Sequence, residues 1–280
     1  MTKRVLELVV LSDLHLGTYG CNAGELNEYL SSINPKTLVL NGDIIDIWAF
    51  SKSYFPTEHM ETIKIFMEML SQGTKVYYIT GNHDELLRKF SEFKMGNLEI
   101  VDKVVLNLND KRTWIFHGDV FDLSVGTAKW LAKLAGQSYD YIILLNRFIN
   151  FILRKFGRER ISLSKRIKNS VKRAVKFVND FEMIAAQHAI NQKYDYVICG
   201  HIHQPQMKLY RNERGSVTYL NSGDWIENLT SLEYNDGEWR IYSHLDELLP
   251  DFDEIILPNL LVESPLPQNM LPSISVANTL

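Results

Sequence analysis

Residues 5–15 read V-L-E-L-V-V-L-S-D-L-H, a nearly unbroken apolar run that stops abruptly at a polar motif. A run of this length, rich in β-branched residues, predicts a strand buried on both faces. The same pattern recurs down the chain. T-L-V-L-N-G-D (37–43) ends on Asp43, and K-V-Y-Y-I-T-G-N-H-D (75–84) ends on Asn82, His83 and Asp84. W-I-F-H-G-D (114–119) ends on His117 and Asp119, and Y-V-I-C-G-H-I-H (196–203) ends on His201 and His203. Helical spacing appears between the first three, over 24–33 and over 57–71, where Ile63, Phe66, Met67 and Leu70 share a face. Strands alternating with helices predict an α/β layered fold.

Further strands are expected near 99–107 and 112–116. They resume after a wholly helical stretch, at 206–211, 216–222, 230–234 and 238–243, with N-E-R-G and N-D-G as hairpin turns. The expected organisation is one domain over 1–247, interrupted by a helical insertion at 126–192 and followed by a proline-bearing tail at 248–280. In that tail Ile255, Ile256, Leu257, Leu260 and Leu261 offer an apolar docking face. With 45% hydrophobic and 23% charged residues in 280, the composition is that of a globular protein with a sizeable core. The N-terminal apolar run is broken by Glu7 and lacks a small-residue cleavage site, so it reads as a strand rather than a signal peptide. No stretch reaches the roughly 20 apolar residues that span a bilayer, and a cytoplasmic location is expected. Two cysteines, Cys21 and Cys199, define no disulfide framework.

Each polar cluster follows an apolar strand, and that edge of an open α/β sheet is where ligand sites form. Carboxylate, imidazole and amide oxygen together suit divalent Mn, Fe or Zn. On an extended backbone the side chains of D-x-H and H-x-H would point the same way and grip one side of a metal cluster. One such motif alone is weak, because Asp often caps a helix and Gly often only turns the chain. Five in succession, each after a strand, are not explained that way. Five of the eight histidines fall in these clusters; His59, His188 and His244 do not, and read as structural or surface residues.

The order D-x-H, G-D, G-N-H-D, H-G-D, G-H-x-H resembles the calcineurin-like metallophosphoesterase superfamily, from Val5 to about Tyr242 apart from the insertion. The resemblance implies two mixed β-sheets sandwiched between helices (an αββα fold) and two metal ions. Asp13, His15 and His203 would bind one ion, Asn82, His117 and His201 the other, and Asp43 would bridge them. Two cations about 4 Å apart clamp a phosphate and acidify water for in-line attack without a phosphoenzyme. His83 is then placed to touch a phosphate oxygen or protonate the leaving oxygen, with Asp84 orienting its ring.

Residues 129–176 carry thirteen Lys and Arg against Asp140 and Glu159, in a chain whose net charge is −4. Such segregation calls for an anionic partner. The segment also contains Y-I-I-L-L-N-R-F-I-N-F-I-L-R-K-F (141–156), apolar on more than one helical face. It reads either as a hairpin with a solvated basic face or as a lid that holds acyl chains and phosphate together, in the manner of a membrane-surface element. A helical insertion between H-G-D and G-H-x-H, followed by N-S-G-D-W (221–225), resembles the UDP-2,3-diacylglucosamine hydrolase family. That resemblance implies manganese-dependent cleavage of a nucleotide-linked diacyl sugar to UMP and a lipid monophosphate, in lipid A synthesis at the inner face of the cytoplasmic membrane. It also implies lipid contacts from the insertion, here Arg166, Asn169, Ser170 and Lys172. One departure is that the family carries Arg where this chain has His83, which leaves the exact substrate open. The rival readings are a phosphodiesterase or phosphatase on other lipids or nucleotides, and a non-catalytic binding protein of the same fold. All seven ligand positions are filled, against the second rival. Nucleic acid is not expected as a partner, since backbone recognition rests on cations and polar groups and leaves the aliphatic face unexplained; no protein partner is expected.

Overall fold

In the computed structural model the described residues are 3–47, 54–121, 163–245 and 253–256, with side chains from 176 onward in the helix at 163–191 and backbone only at 253–256. The side chains of Arg166, Asn169, Ser170 and Lys172, the apolar stretch 141–156 and the rest of the tail lie outside them. The chain divides into two compact units, residues 1–120 with 185–280, and residues 121–184.

The first unit is built on two sheets. In one, β1 (Arg4–Leu11), β2 (Ile33–Asn41), β3 (Lys75–Ile79) and β5 (Leu98–Val101) run parallel, and the short β4 (Lys94–Met95) closes that edge. On the other side of β1, β11 (Thr230–Asn235) and β12 (Glu238–Ser243) add antiparallel strands. The second sheet joins β6 (Lys103–Leu108), β7 (Lys111–Phe116), β8 (Tyr196–Cys199), β9 (Gln206–Asn212), β10 (Gly215–Asn221) and β13 (Asp253–Ile256), in the order β13-β9-β10-β8-β7-β6. Both sheets are mixed, as expected. The tail contributes β13, which lies parallel to β9 at the sheet edge.

Period-two alternation explains the continuous apolar runs. Leu8 and Val10 of β1 face the second sheet and pack with Val39, Ile79, Ile115, Ile198, Leu220 and Leu232. Val9 and Leu11 face the opposite way, into a layer with Leu26, Tyr29 and Leu30 of α1 (Ala23–Ser32) and Ile65, Phe66 and Met69 of α2 (Thr57–Ser71). On the outer face of the second sheet lies the end of α3 (Leu163–Asn191), where Ala185, Ala186, Ala189 and Ile190 are buried and the His188 ring lies 5.1 Å from Trp114. In the other unit Phe121 and Phe181 are buried, their rings 5.9 Å apart. Among the described residues no helix is long and apolar enough to cross a membrane.

Two local expectations need correction. The run 99–107 is two strands: the chain leaves the first sheet at Asp102 and enters the second at Lys103. The carboxylate of Asp102, which accepts from Thr80 Oγ1 (3.0 Å) and Ser91 Oγ (3.2 Å), fastens that crossing. On α2 the buried face is His59, Thr62, Ile65, Phe66 and Met69, whereas Met67 is 54% exposed and Ile63 and Leu70 are only partly buried. The helix turns its polar Thr62 inward because that hydroxyl donates to Asn27 Oδ1 at 2.7 Å.

Away from the strand ends, Glu233 on β11 is fully buried and bound by three elements. Arg4 reaches it with two bonds of 2.9 Å, Tyr29 Oη donates at 3.0 Å, and Arg240 Nε donates at 2.8 Å. Burial raises the carboxyl, but the hydrogen bonds and charges of Arg4 and Arg240 outweigh it and hold the group below its ordinary 4.5. A depressed carboxyl stabilises the fold above its unfolded pKa and loses that contribution as pH falls through the folded value. Glu233→Gln is therefore expected to cost about 3 kcal/mol near neutrality, with the gap to the unaltered chain closing as pH falls below 4.5. Urea melts at a series of pH values measure this, and a gap that stays constant into the acid range contradicts it.

Candidate metal centre

The polar clusters do converge. The strands β1, β2, β3, β7 and β8 end side by side, and the loops beyond them are joined through backbone and carboxylate. Asp13 N donates to Gly42 O at 3.0 Å and His15 N to Asp43 O at 2.9 Å, which ties the first loop to the second. His83 N donates to Asp43 Oδ1 at 2.8 Å, and His201 N to Asp13 Oδ2 at 3.0 Å. Asn82 lies between His83 and Gly81, and a Cβ on Gly81 would fall 2.3 Å from Asp43 Oδ1. The third loop can approach the second only because residue 81 has no side chain.

The expected extended geometry of D-x-H and H-x-H is not what forms. Asp13, His15, Asp43, His201 and His203 all have positive φ, between 50° and 66°. Left-handed backbone is uncommon for such residues and costs about 1–3 kcal/mol at each position in the strained cases. The strands stop at Leu11 and Cys199, and the chain must coil sharply at once to turn two side chains from one loop into a single centre.

Three groups of side chains each bring ligand atoms within 4.8 Å of one another: Asp13 with His15 and His203, His15 with Asp43 and His83, and Asp43 with His117 and His201. Asp43 is shared by two of them. Its Oδ2 lies 3.3 Å from His117 Nε2, 3.9 Å from His15 Nε2 and 4.0 Å from His83 Nε2, and His203 Nε2 lies 3.2 Å from Asp13 Oδ1. Asp13, Asp43, His15 and His117 are buried, while His83 and His203 are partly exposed and mark the open side.

The ring orientations are set from behind. His117 Nδ1 lies 2.9 Å from the carbonyl of Asn41, which only accepts, so Nδ1 carries the hydrogen and Nε2 is the free nitrogen of the neutral ring. His15 Nδ1 lies 3.3 Å from Asp46 Oδ2. In both residues Nε2 is buried, faces the cluster and makes no hydrogen bond. A metal-ligating imidazole is held in this way, with one nitrogen anchored and the other presented. Together with the carboxylates, these atoms fit a divalent cation of the Mn, Fe or Zn type.

The charges reinforce one another. Burial alone would raise Asp43, but His117, His15 and His83 hold it far below the usual carboxylate range. Burial opposes charge on His203, yet Asp13 and Asp224 lift it to about 10. His117 is likewise lifted by Asp43 and Asp13 against its burial.

Asp84 does not orient His83, contrary to expectation. Its carboxylate accepts from Gly81 N (2.6 Å), Ile44 N (3.0 Å) and Tyr78 Oη (2.7 Å), so it braces the loops that carry Asp43 and Asn82. Burial and the charge of Asp43 push its carboxyl upward. The carboxylate nearest His83 Nδ1 is that of Asp46, whose Oδ2 lies at 2.9 Å. Asp46 lies three residues after Asp43 in N-G-D-I-I-D, a spacing visible in the chain but without meaning until the loop is folded. Of the other histidines, His59 is buried and accepts from Gly17 N at 2.9 Å, and His244 meets Tyr242 Oη at 3.2 Å; neither faces the cluster groups.

The calcineurin-like phosphoesterase family matches residues 6–205, a span that holds all seven expected ligands. Among curated relatives, a UDP-2,3-diacylglucosamine hydrolase of Aliivibrio fischeri strain MJ11 is 24% identical over 245 residues, covering 85% of this chain and 97% of that one. Proteins of the same name from Wigglesworthia glossinidia brevipalpis and Aeromonas hydrophila are each 25% identical, covering 82% and 85% of this chain and 91% and 99% of theirs. The convergent carboxylates and imidazoles, the two mixed sheets and the extent of the match agree: this chain belongs to the calcineurin-like phosphoesterase family of metal-dependent phosphoester hydrolases.

Proposed function

We propose that the chain hydrolyses a phosphoester or pyrophosphate bond in an amphiphilic, nucleotide-linked substrate of the UDP-2,3-diacylglucosamine type, releasing UMP and a lipid monophosphate. The observation that carries the chemistry is the shared carboxylate of Asp43 between two ligand groups. In this reading Asp13, His15 and His203 would hold one divalent ion, Asn82, His117 and His201 would hold a second, and Asp43 would be shared between them. Manganese is the proposed metal, with iron or zinc compatible with the same donors. When bound, two such ions neutralise phosphate charge and make water acidic enough to attack near neutral pH.

The residues of the chain supply the rest. His83 stands at the open side with Nδ1 2.9 Å from Asp46 Oδ2 and Nε2 4.0 Å from Asp43 Oδ2. That nitrogen is placed to give a proton to the leaving oxygen as water bonds to phosphorus and the bridging P–O bond breaks. The buried carboxylates stay ionised at neutral pH, because their neighbours hold them low.

The substrate class is supported by the names and coverage of the relatives and by the basic, apolar sequence of residues 129–176. The proposed location is cytoplasmic, at the inner face of the membrane where such a lipid resides. His83 supports a second reading: the same two-ion chemistry on another lipid- or nucleotide-linked phosphoester, since the resemblance to the hydrolase family implies Arg at that position.

Asp43→Ala is expected to abolish turnover and bring bound metal below two ions per chain; full activity in this variant contradicts the mechanism. On a phosphodiester, whose leaving oxygen needs a proton, His83→Ala should retain its metal and lose about 10²–10⁴-fold in kcat, so parallel metal analysis separates the two roles. Incubation with manganese and UDP-2,3-diacylglucosamine, with bis-p-nitrophenyl phosphate alongside, should release UMP. Cleavage of the simple diester alone would retain the chemistry and favour the second reading.

A further inference from the structure

Strand β10 ends at Asn221, and the chain then passes beneath the centre as S-G-D-W-I-E-N, residues 222–228. We propose that Asp224 is a positioning residue for metal binding: it fixes the His203 ring so that Nε2, rather than Nδ1, faces Asp13. The inference rests on the metal-binding reading of Asp13 and His203 given above.

Asp224 is 1% exposed, and both of its oxygens are assigned. Oδ1 accepts from three successive backbone N–H groups, Ile226 (2.8 Å), Glu227 (2.6 Å) and Asn228 (3.0 Å). Three converging donors leave the carboxylate one orientation. Oδ2 then accepts from Asn228 Nδ2 at 2.8 Å and lies 3.3 Å from His203 Nδ1. The same Asn228 amide donates to the His203 carbonyl at 2.8 Å, so one turn holds both the backbone and the ring of His203. With Nδ1 engaged, the remaining nitrogen lies 3.2 Å from Asp13 Oδ1.

The loop also holds the other side of this pair. Trp225 N donates to the Asp13 carbonyl at 3.3 Å, and Ser12 Oγ meets Ser222 Oγ at 2.6 Å and the Gly223 carbonyl at 3.1 Å. Gly223 has φ +71°, and a Cβ there would fall 2.1 Å from Thr230 Oγ1, so the path of the loop admits little else. A plain turn cap accounts for the bonds to Oδ1 and for the Asn228 bond to Oδ2, but not for the His203 ring placed 3.3 Å from the same oxygen. His203 is the expected ligand that needs such support: its side chain is 34% exposed, against 7% for His15 and 1% for His117. A carboxylate behind an imidazole both fixes the tautomer and raises ligand basicity, and removing such a partner typically costs about 10- to 100-fold in metal affinity.

Asp224→Asn can keep an acceptor for the three N–H groups, while the oxygen facing His203 Nδ1 and Asn228 Nδ2 becomes an NH2 donor that can neither accept from them nor carry charge. Manganese is titrated into metal-stripped full-length protein by equilibrium dialysis, and the melting temperature of the stripped protein is recorded. The expected result is about 10- to 100-fold weaker manganese binding with the stripped protein still folded, and turnover recovered as manganese is raised. If Asp224→Asn does not fold, Asn228→Ala carries the test, with a loss of about 10-fold expected. A manganese isotherm that superimposes on that of the unaltered chain overturns the proposal, whatever happens to the melting temperature. The number of ions in the unaltered chain tests the two-ion reading separately, because the comparison of affinities holds for one ion or two.

Discussion

The Asp43 carboxylate is the constraint around which the molecule is arranged. It is 2% exposed, one oxygen accepts the His83 amide, and the other lies among the nitrogens of His15, His83 and His117. An isolated ionised carboxylate at such depth would carry a large desolvation cost, and the cluster of imidazoles and N–H donors is what offsets it. Every element that supplies a partner must therefore end at the same level. The second sheet brings β7 and β8 to the height of β1, β2 and β3 because Ile115 and Ile198 interlock with Val10, Val39 and Ile79 in the layer between the sheets.

This arrangement requires close backbone approach, which two further glycines permit besides Gly81. A Cβ on Gly42 would meet the His117 ring at 2.3 Å, and one on Gly200 would meet Asp13 Oδ2 at 2.5 Å. Both glycines lie beside candidate ligands, in G-D and G-H-x-H. The ligands themselves take the left-handed conformations that a glycine would adopt more easily. The strain persists because rigid, fully buried strands precede each loop and over-determine its path.

Much of this was legible in the chain. An apolar run followed at once by Asp or His marks both a strand and its end, so the α/β layering and the convergence of Asp13, Asp43, His117 and His201 could be anticipated, whereas the two sheets were implied only by the family resemblance. What escaped depends on direction rather than position. Alternation along an extended strand gives the wrong picture of D-x-H, because non-glycine residues at positive φ leave no compositional signal. Asp84, adjacent to His83, looked like its partner, whereas the turn after β3 points that carboxylate back toward Gly81 and Ile44. Asp46 comes from a different loop, and long-range pairing of this kind is invisible to local spacing. The apparent stripe of α2 failed for a related reason: Thr62 shares the buried face with Ile65, Phe66 and Met69 because Asn27, on another helix, satisfies its hydroxyl.

The centre, being common to a whole family, does not choose its substrate; the residue at position 83 does more to separate the possibilities. A guanidinium stays charged in proteins and binds phosphate as a two-pronged donor, but it does not release a proton. A histidine, when doubly protonated, is able to release one from Nε2. Cleaving a pyrophosphate expels a phosphate, a weak base that leaves with little need of protonation. Cleaving an alkyl phosphodiester expels an alkoxide, a strong base that needs a proton as the bond breaks. A histidine beside Asp46 at the mouth of the centre is thus better matched to the harder leaving group, whereas the proposed pyrophosphate substrate presents the easier one. The two lines of reasoning make different demands on the same side chain. In a pyrophosphate hydrolase, loss of His83 should weaken substrate binding more than the chemical step. In a diesterase it should slow the step itself, most for the substrates with the poorest leaving groups.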